Sequence, residues 1–237
     1  MPKILCIIPA RAGSKRLANK NIKPFAGKPL IAWTIDAALG AQLDMDVVVS
    51  TDSKEIAEVS EAYGAEVPFL RPESLASDSA TSFDTIKYTL TQLKTLGREY
   101  EILIFLQPTS PLRQSFHIEN AYALLQQQNG KTVISVSEID HPIEWTMSLP
   151  DTASMDDYIN THQDALMKRS QDFSTRYRVN GAIFCGNILD VFACQGFYLK
   201  SGGVFAYPME RKYSIDIDEL IDFEYAEFLM FKFLSKI

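Results

Sequence analysis

Residues 3–16 read KILCIIPARAGSKR, an unbroken apolar run closed by a proline and followed at once by a small-residue, cation-rich turn. A short apolar run bounded by turn signals fits a strand buried on both faces, as in a parallel sheet. The same pattern recurs along the chain. Strand-like segments at Ile4–Ile8, Val47–Ser50, Glu66–Phe69, Ile102–Leu106, Val133–Val136, Ala182–Cys185 and Val204–Tyr207 alternate with amphipathic ones. The latter are Leu30–Leu39, Lys54–Tyr63, Phe83–Leu96, Ile118–Gln128 and Leu220–Leu234. Such alternation predicts an α/β fold around a mostly parallel sheet. In DSKEIAEVSEAYG, residues 52–64, Asp52 or Ser53 is the expected N-cap and Gly64 the residue just past the helix end.

At 237 residues, 46% hydrophobic and 22% charged, the chain has the composition of a soluble globular protein. It reads as a single domain, 1–237. From Glu138 the periodicity is lost amid prolines, aromatics and polar residues, so 138–200 is expected to contain an insertion with a task of its own. Aromatics return in GFYLKSGGVFAY, residues 196–207, which could face a partner subunit. The formal net charge of -7 argues against a general nucleic-acid binder, though not against a local basic site for a small anion. No apolar run approaches the ~18 residues of a membrane span. The opening MPKILCII is too short for a signal peptide and lacks its cleavage pattern, so a cytoplasmic location is expected. Cys6, Cys185 and Cys194 show no CxxC spacing, and Cys6 and Cys185 are expected as buried thiols. His117, His141 and His162 show no zinc-binding spacing.

In a doubly wound sheet, ligands gather at the carboxyl ends of the strands. The residues that follow strands therefore matter most: Ala10–Arg16, Ser50-Thr51-Asp52, and LQPTSPLR at 106–113. YSIDID at 213–218 adds an acidic segment near the end of the chain. The first of these matches neither GxxxxGK[ST] nor GxGxxG. It is a turn whose backbone could face an anion at Ala12 and Gly13, with Arg11, Lys15, Arg16 and Lys20 supplying charge; a solvated basic loop explains it equally well. Asp216 and Asp218, spaced i, i+2, would project from one face of an extended segment while Ile215 and Ile217 pack on the other. A cation such as Mg²⁺ would relieve their repulsion, or else Asp218 merely caps the following helix. The serines and threonines of Ser79–Ser82 either cap the helix from Phe83 or meet a ribose or phosphate.

Together these segments resemble the acylneuraminate (nonulosonate) cytidylyltransferases, the family of CMP-sialic acid synthetases. The matching text is IIPARAGSKRLANKNIKPFAGKPLIAWTI, then VVVSTDSKEIAEVSEAYGAEVPFLRPESLASDSATS, LQPTSPLR, YRVNGAIF and SIDID, spread over nearly the whole chain. The resemblance implies a Rossmann-like nucleotidyltransferase fold and a homodimer whose insertion reaches the neighbour's site. It also implies CTP and a nine-carbon α-keto acid sugar (sialic, legionaminic or pseudaminic) as substrates, with Mg²⁺. By the same resemblance, Arg11 and the backbone of Ala10, Ala12, Gly13 and Ser14 would cradle the triphosphate, with Lys20 and Asn21 close to the nucleotide. Arg71, Ala80 and Ser82 would contact cytosine and ribose, Gln107 and Asn180 the sugar, and Asp216 and Asp218 the metal.

The implied chemistry is in-line displacement at the α-phosphorus by the sugar's anomeric hydroxyl, with Asp218, or a metal-bound hydroxide beside it, accepting the proton. Where relatives read RRQDLP, this chain has KRSQDFSTRYR at 168–178, so either Arg169 or Arg178 would meet the sugar carboxylate. SKRLANKN replaces the commoner SKGIPRKN and leaves Arg16 without an implied role; Phe184 stands where a tyrosine is frequent. The nearest alternative is a cytidylyltransferase for the eight-carbon acid Kdo, against which NKNIKPF argues, because those relatives run into a shorter loop. A non-catalytic nucleotide-binding relative would be expected to lack Arg11 or the aspartate pair; both are present.

Overall fold

Strand β1 (Ile4–Pro9) is covered on both sides, because its apolar residues alternate between two cores. Ile4, Cys6 and Ile8 face one, Leu5 and Ile7 the other. The computed structural model describes residues 2–77 and 80–235. After β1 come the hairpin β2 (Pro24–Phe25) and β3 (Lys28–Pro29), helix α1 (Leu30–Leu39), β4 (Met45–Ser50), α2 (Lys54–Ala62) and α3 (Ser82–Thr95). Then follow β5 (Ile102–Phe105), α4 (Ser115–Gln127), β6 (Thr132–Glu138), α5 (Asp156–Leu166), β7 (Tyr177–Asn187), α6 (Ile188–Ala193), β8 (Val204–Met209) and α7 (Leu220–Leu234).

The six-stranded sheet runs β4-β1-β5-β7-β6-β8. β1 is parallel to β4 and β5, β6 is parallel to β8, and β7 is antiparallel to both its neighbours. The reversal has a consequence for function: the beginning of β7 lies at the same rim as the ends of the other strands. One core packs Ile31 and Ile35 of α1 with Ile118 and Leu125 of α4, and the other takes Ile86 and Leu93 of α3 with Val191 of α6. A third cluster joins the β2–β3 hairpin to α7 through Phe25, Phe223 and Met230, and it buries Ile217 completely.

Local signals account for most boundaries. Ser53, not Asp52, caps α2 by accepting from the Ile56 N–H at 3.3 Å, and Gly64 takes the left-handed conformation (φ 91°) past its end. Thr81 and Asp84 cap α3 reciprocally, so Thr81 serves the helix start. The expected strand Glu66–Phe69 does not form. Glu66 makes an isolated bridge to Val48, and Pro68 then removes the N–H that would continue the ladder. β7 is longer than the expected Ala182–Cys185, α5 and α6 appear where no helix was expected, and α4 starts at Ser115 and not Ile118. Within region 138–200, β7 stands in the middle of the sheet, with α5 before it and α6 after it. Cys6 and Cys185 are buried free thiols, Cys6 pushed up to about 12 by desolvation; Cys194 is exposed. No helix among the described residues is long and apolar enough to cross a membrane.

His117, in the first turn of α4, is buried, and its Nδ1 accepts from the Gln114 N–H at 3.0 Å. Burial, with Arg113 nearby, pushes its pKa down to about 4. The unfolded chain, with a histidine near about 6.5, protonates first as pH falls, so stability present above that value is lost toward about 4. His117→Gln should flatten the dependence of Tm on pH across that window; wild-type and variant curves that run parallel would refute the assignment.

Candidate active site

The ends of β1 and β5, the turn before α3 and the segment before α7 enclose a cavity of about 580 Å³. One wall is basic. Arg11 donates through Nη1 to the Ala76 carbonyl at 3.2 Å, and its own carbonyl accepts from Asn21 Nδ2 at 3.0 Å. Arg71 is 5% exposed; its Nη1 donates to Thr85 Oγ1 at 2.7 Å, while its Nε is buried without a hydrogen-bond partner among the described residues. Lys20 reaches the cavity because Asn19 adopts a left-handed conformation (φ 52°) and Lys20–Ile22 form a single 3₁₀ turn. Its Nζ donates to the Ile217 carbonyl at 2.6 Å, and desolvation lowers its pKa despite the aspartates beside it.

The opposite wall is acidic. Ile217 is held in the α7 cluster and its N–H donates to the Thr109 carbonyl at 2.8 Å, so Asp216 and Asp218 on either side of it face the cavity. Burial raises the Asp216 pKa, opposed by a hydrogen bond from Thr109 and aggravated by Asp218. Asp218 does not cap α7. Its carboxylate lies 2.9 Å from Arg16 Nη1 and 4.0 Å from Lys20 Nζ, and Asp222 instead accepts from the Asp218 and Glu219 N–H groups. Arg16 thereby gains the partner that the sequence did not supply.

The cavity wall includes Arg11, Ser14, Lys20, Asn21, Arg71, Ala80, Ser82, Gln107, Asp216 and Asp218, all anticipated from the sequence. Other anticipated residues are placed elsewhere. Ala10 is buried with its N–H donating to the Ser50 carbonyl, Ala12 N–H donates to Asp52 Oδ1 at 3.1 Å, and Ser14 N–H donates to the Ala12 carbonyl. Of the expected amide cradle, the N–H groups of Ala10, Ala12 and Ser14 are thus hydrogen-bonded within the protein, and Gly13 is off the wall. Arg169 is exposed and paired with Asp172 at 3.0 Å, away from the cavity. Arg178 lines an adjoining cleft and is close enough to Asp216 to favour its charged form. Of the expected cap residues, Ser79 lies outside the described residues.

Asn180 is also off the wall, and 2% exposed. The β6–β7 register shifts between Ile134 and Val136, which makes a bulge around Asn180–Ile183, with Gly181 at φ 74°. Ser135 Oγ donates to Asn180 Oδ1 at 2.6 Å and accepts from the Ile183 N–H at 2.7 Å; Ala182 N–H donates to Asn180 Oδ1 at 3.1 Å. Asn180 Nδ2 donates to Ser214 Oγ at 3.0 Å, two residues before Asp216. Asn180 is thus a lock between the bulge and the acidic segment. Roles for Asp52, Thr85 and Thr109 were not drawn from the sequence. The only signal was their place: Asp52 and Thr109 follow strands, and Thr85 lies one turn into a helix that opens at the rim.

The family model described as cytidylyltransferase matches residues 5–233. An N-acylneuraminate cytidylyltransferase of Escherichia coli is 38% identical over 94% of this chain, which spans about half of that relative's length (51%). A CMP-N,N'-diacetyllegionaminic acid synthase of Legionella pneumophila is 37% identical over 96% of both chains. A pseudaminic acid cytidylyltransferase of Campylobacter jejuni is 34% identical, again over 96% of both. Among solved structures, a CMP:2-keto-3-deoxy-manno-octonic acid synthetase complexed with CTP superposes with a TM-score of 0.70 at 17% identity, covering 97% of this chain and 99% of that one. That likeness concerns the fold.

Ser135→Ala removes the hydroxyl that satisfies the Ile183 N–H and should destabilise the fold by about 1–3 kcal/mol, read by urea denaturation. An unchanged midpoint would mean the bulge does not depend on this hydroxyl.

Proposed function

This chain belongs to the cytidylyltransferase family, and from that premise we propose that it transfers CMP from CTP to the anomeric hydroxyl of a nonulosonic acid, releasing pyrophosphate. What supports this most is the meeting of a basic wall (Arg11, Lys20, Arg71) and a carboxylate pair (Asp216, Asp218) in one cavity. An anionic sugar must approach a polyanionic triphosphate, and a site for that reaction needs positive charge placed in advance. The relatives named for sialic, legionaminic and pseudaminic acids support the acceptor class. Against a Kdo acceptor stands the NKNIKPF segment, whose 3₁₀ turn carries Lys20 and Asn21 to the wall.

In the reaction the anomeric oxygen forms a bond to the α-phosphorus. The bond from that phosphorus to the bridging oxygen breaks, and pyrophosphate leaves with the electron pair. Asp218 accepts the hydroxyl proton. Arg11 and Lys20 offset the phosphate charge, while Arg71, Ala80 and Ser82 border the nucleoside side. Gln107 faces the acid, and Arg178 is better placed than Arg169 to meet its carboxylate. Asp216 and Asp218 fit a magnesium ion: two hard oxygen donors, one of them desolvated by burial, suit a cation that takes one or two carboxylates and completes its shell with phosphate oxygens. When bound, magnesium would supply Lewis-acid stabilisation of the phosphoryl charge.

We place the enzyme in the cytoplasm as a homodimer. The apolar side chains exposed between β6 and β7, Leu149 at 70% and Met167 at 84% among them, support a partner surface there. Incubation with CTP, Mg²⁺ and a panel of nonulosonic acids plus Kdo should release pyrophosphate with at least one nonulosonic acid, and chelation should stop it. Asp216→Ala should lower turnover by about 10²–10³-fold or more with the fold intact by circular dichroism. Folded protein that releases no pyrophosphate with any acid, or that prefers Kdo, would overturn the reading.

A further inference from the structure

Arg113 is 1% exposed, as buried as the core leucines around it. Its Nη1 donates to two main-chain carbonyls, Ala182 at 2.9 Å and Gln107 at 3.2 Å. Its Nε and Nη2 are buried without a hydrogen-bond partner among the described residues. Burial lowers its pKa only to about 10, so it stays charged at neutral pH. A desolvated guanidinium held by carbonyls alone is costly, and an apolar side chain of similar size would fill the same space.

The place it occupies accounts for it. β5 and β7 pair antiparallel from Ile102 opposite Asn187 to Phe105 opposite Phe184, where the ladder stops. Two residues further, the same register would set Gln107 opposite Ala182, and those are the residues whose carbonyls Arg113 takes. The guanidinium stands in the fork where the strands part. Above it, Gln107 lies against Gly181: a Cβ built on that glycine would come within 2.4 Å of Gln107 Oε1 and 3.7 Å of Asp216 Oδ2.

We propose that Arg113 is a positioning residue for the acceptor side of the site, a buried wedge between β5 and β7 that holds the Gln107 carboxamide over Gly181. It touches no substrate and acts through Gln107. The acceptor role of Gln107 rests on the function proposed above; the wedge itself does not.

Arg113→Lys keeps a charge but is shorter and lacks the planar guanidinium that fills the fork, and Gly181→Ala intrudes on Gln107 from the other side. In the ¹⁵N-labelled full chain without substrate, each substitution should shift or broaden the Gln107 side-chain amide signals, identified through Gln107→Glu. In turnover, each should raise KM for the acid on the order of tenfold or more while KM for CTP changes by less than about threefold. Unchanged Gln107 signals in the folded variants would overturn the proposal, and so would equal rises in both KM values. Should Arg113→Lys not fold, Gly181→Ala decides by the same readings. A wild-type protein that turns over no nonulosonic acid would refute the proposed function, and the amide signals would still decide the wedge.

Discussion

A bulge in the one reversed strand of the sheet must have every buried backbone group satisfied, and the rim of the candidate site is arranged around that requirement. Between Asn180 and Ile183 the β6–β7 ladder loses its register, and there side chains meet the N–H groups of Ala182 and Ile183 and the carbonyl of Ala182. Ser135 takes one N–H, the Asn180 carboxamide the other, and Arg113 the Ala182 carbonyl. Each of these side chains also binds something else. Asn180 reaches Ser214 and so ties down the acidic segment, while Arg113 reaches the Gln107 carbonyl and so ties down the loop after β5. Three stretches far apart in the chain are registered against one another by a single irregularity.

The electrostatics follow from that frame. Ile217 is immobilised by apolar packing and by its hydrogen bond to Thr109, so the flanking aspartates have no route away from each other. Burial and mutual repulsion raise the Asp216 pKa, and the response is cationic: Lys20 on the Ile217 carbonyl, Arg16 on Asp218 and Arg178 beside Asp216. On the other wall Asp52 holds the turn after β1 through Ala12 and supports the charge of the buried Arg71. The cavity therefore carries positive charge on one wall and carboxylates on the other.

Much of this was legible in the chain, for identifiable reasons. β1 could be read from KILCII because a strand buried on both faces has no polar alternation to obscure it. The caps of α2 and α3 could be read because Ser53 and Thr81 act on neighbours three residues away. The aspartate pair could be read because an i, i+2 spacing in an extended segment shares a face by geometry alone. Less local features were not. Glu66–Phe69 has strand composition, yet Pro68 ends its pairing after one bridge. The basic turn of Ala10–Arg16 could be read as an anion seat or a solvated loop, but that Asp52, just past β4, accepts from the Ala12 N–H could not be read.

Periodicity, caps and neighbours along the chain suffice for the α/β class, the strands that build the rim and the residue types gathered there. Which of the candidates share the cavity depends on the folded chain: Gln107 is on its wall, Asn180 is locked inside the sheet, Arg169 is paired away and Arg178 is beside Asp216. The folded chain also sets Arg16 against Asp218 and Arg113 in the fork between β5 and β7. The contacts that matter most here, Ser135 with Asn180, Arg113 with Ala182 and Arg16 with Asp218, join residues tens to hundreds of positions apart, and such pairings leave no periodic signal in the sequence.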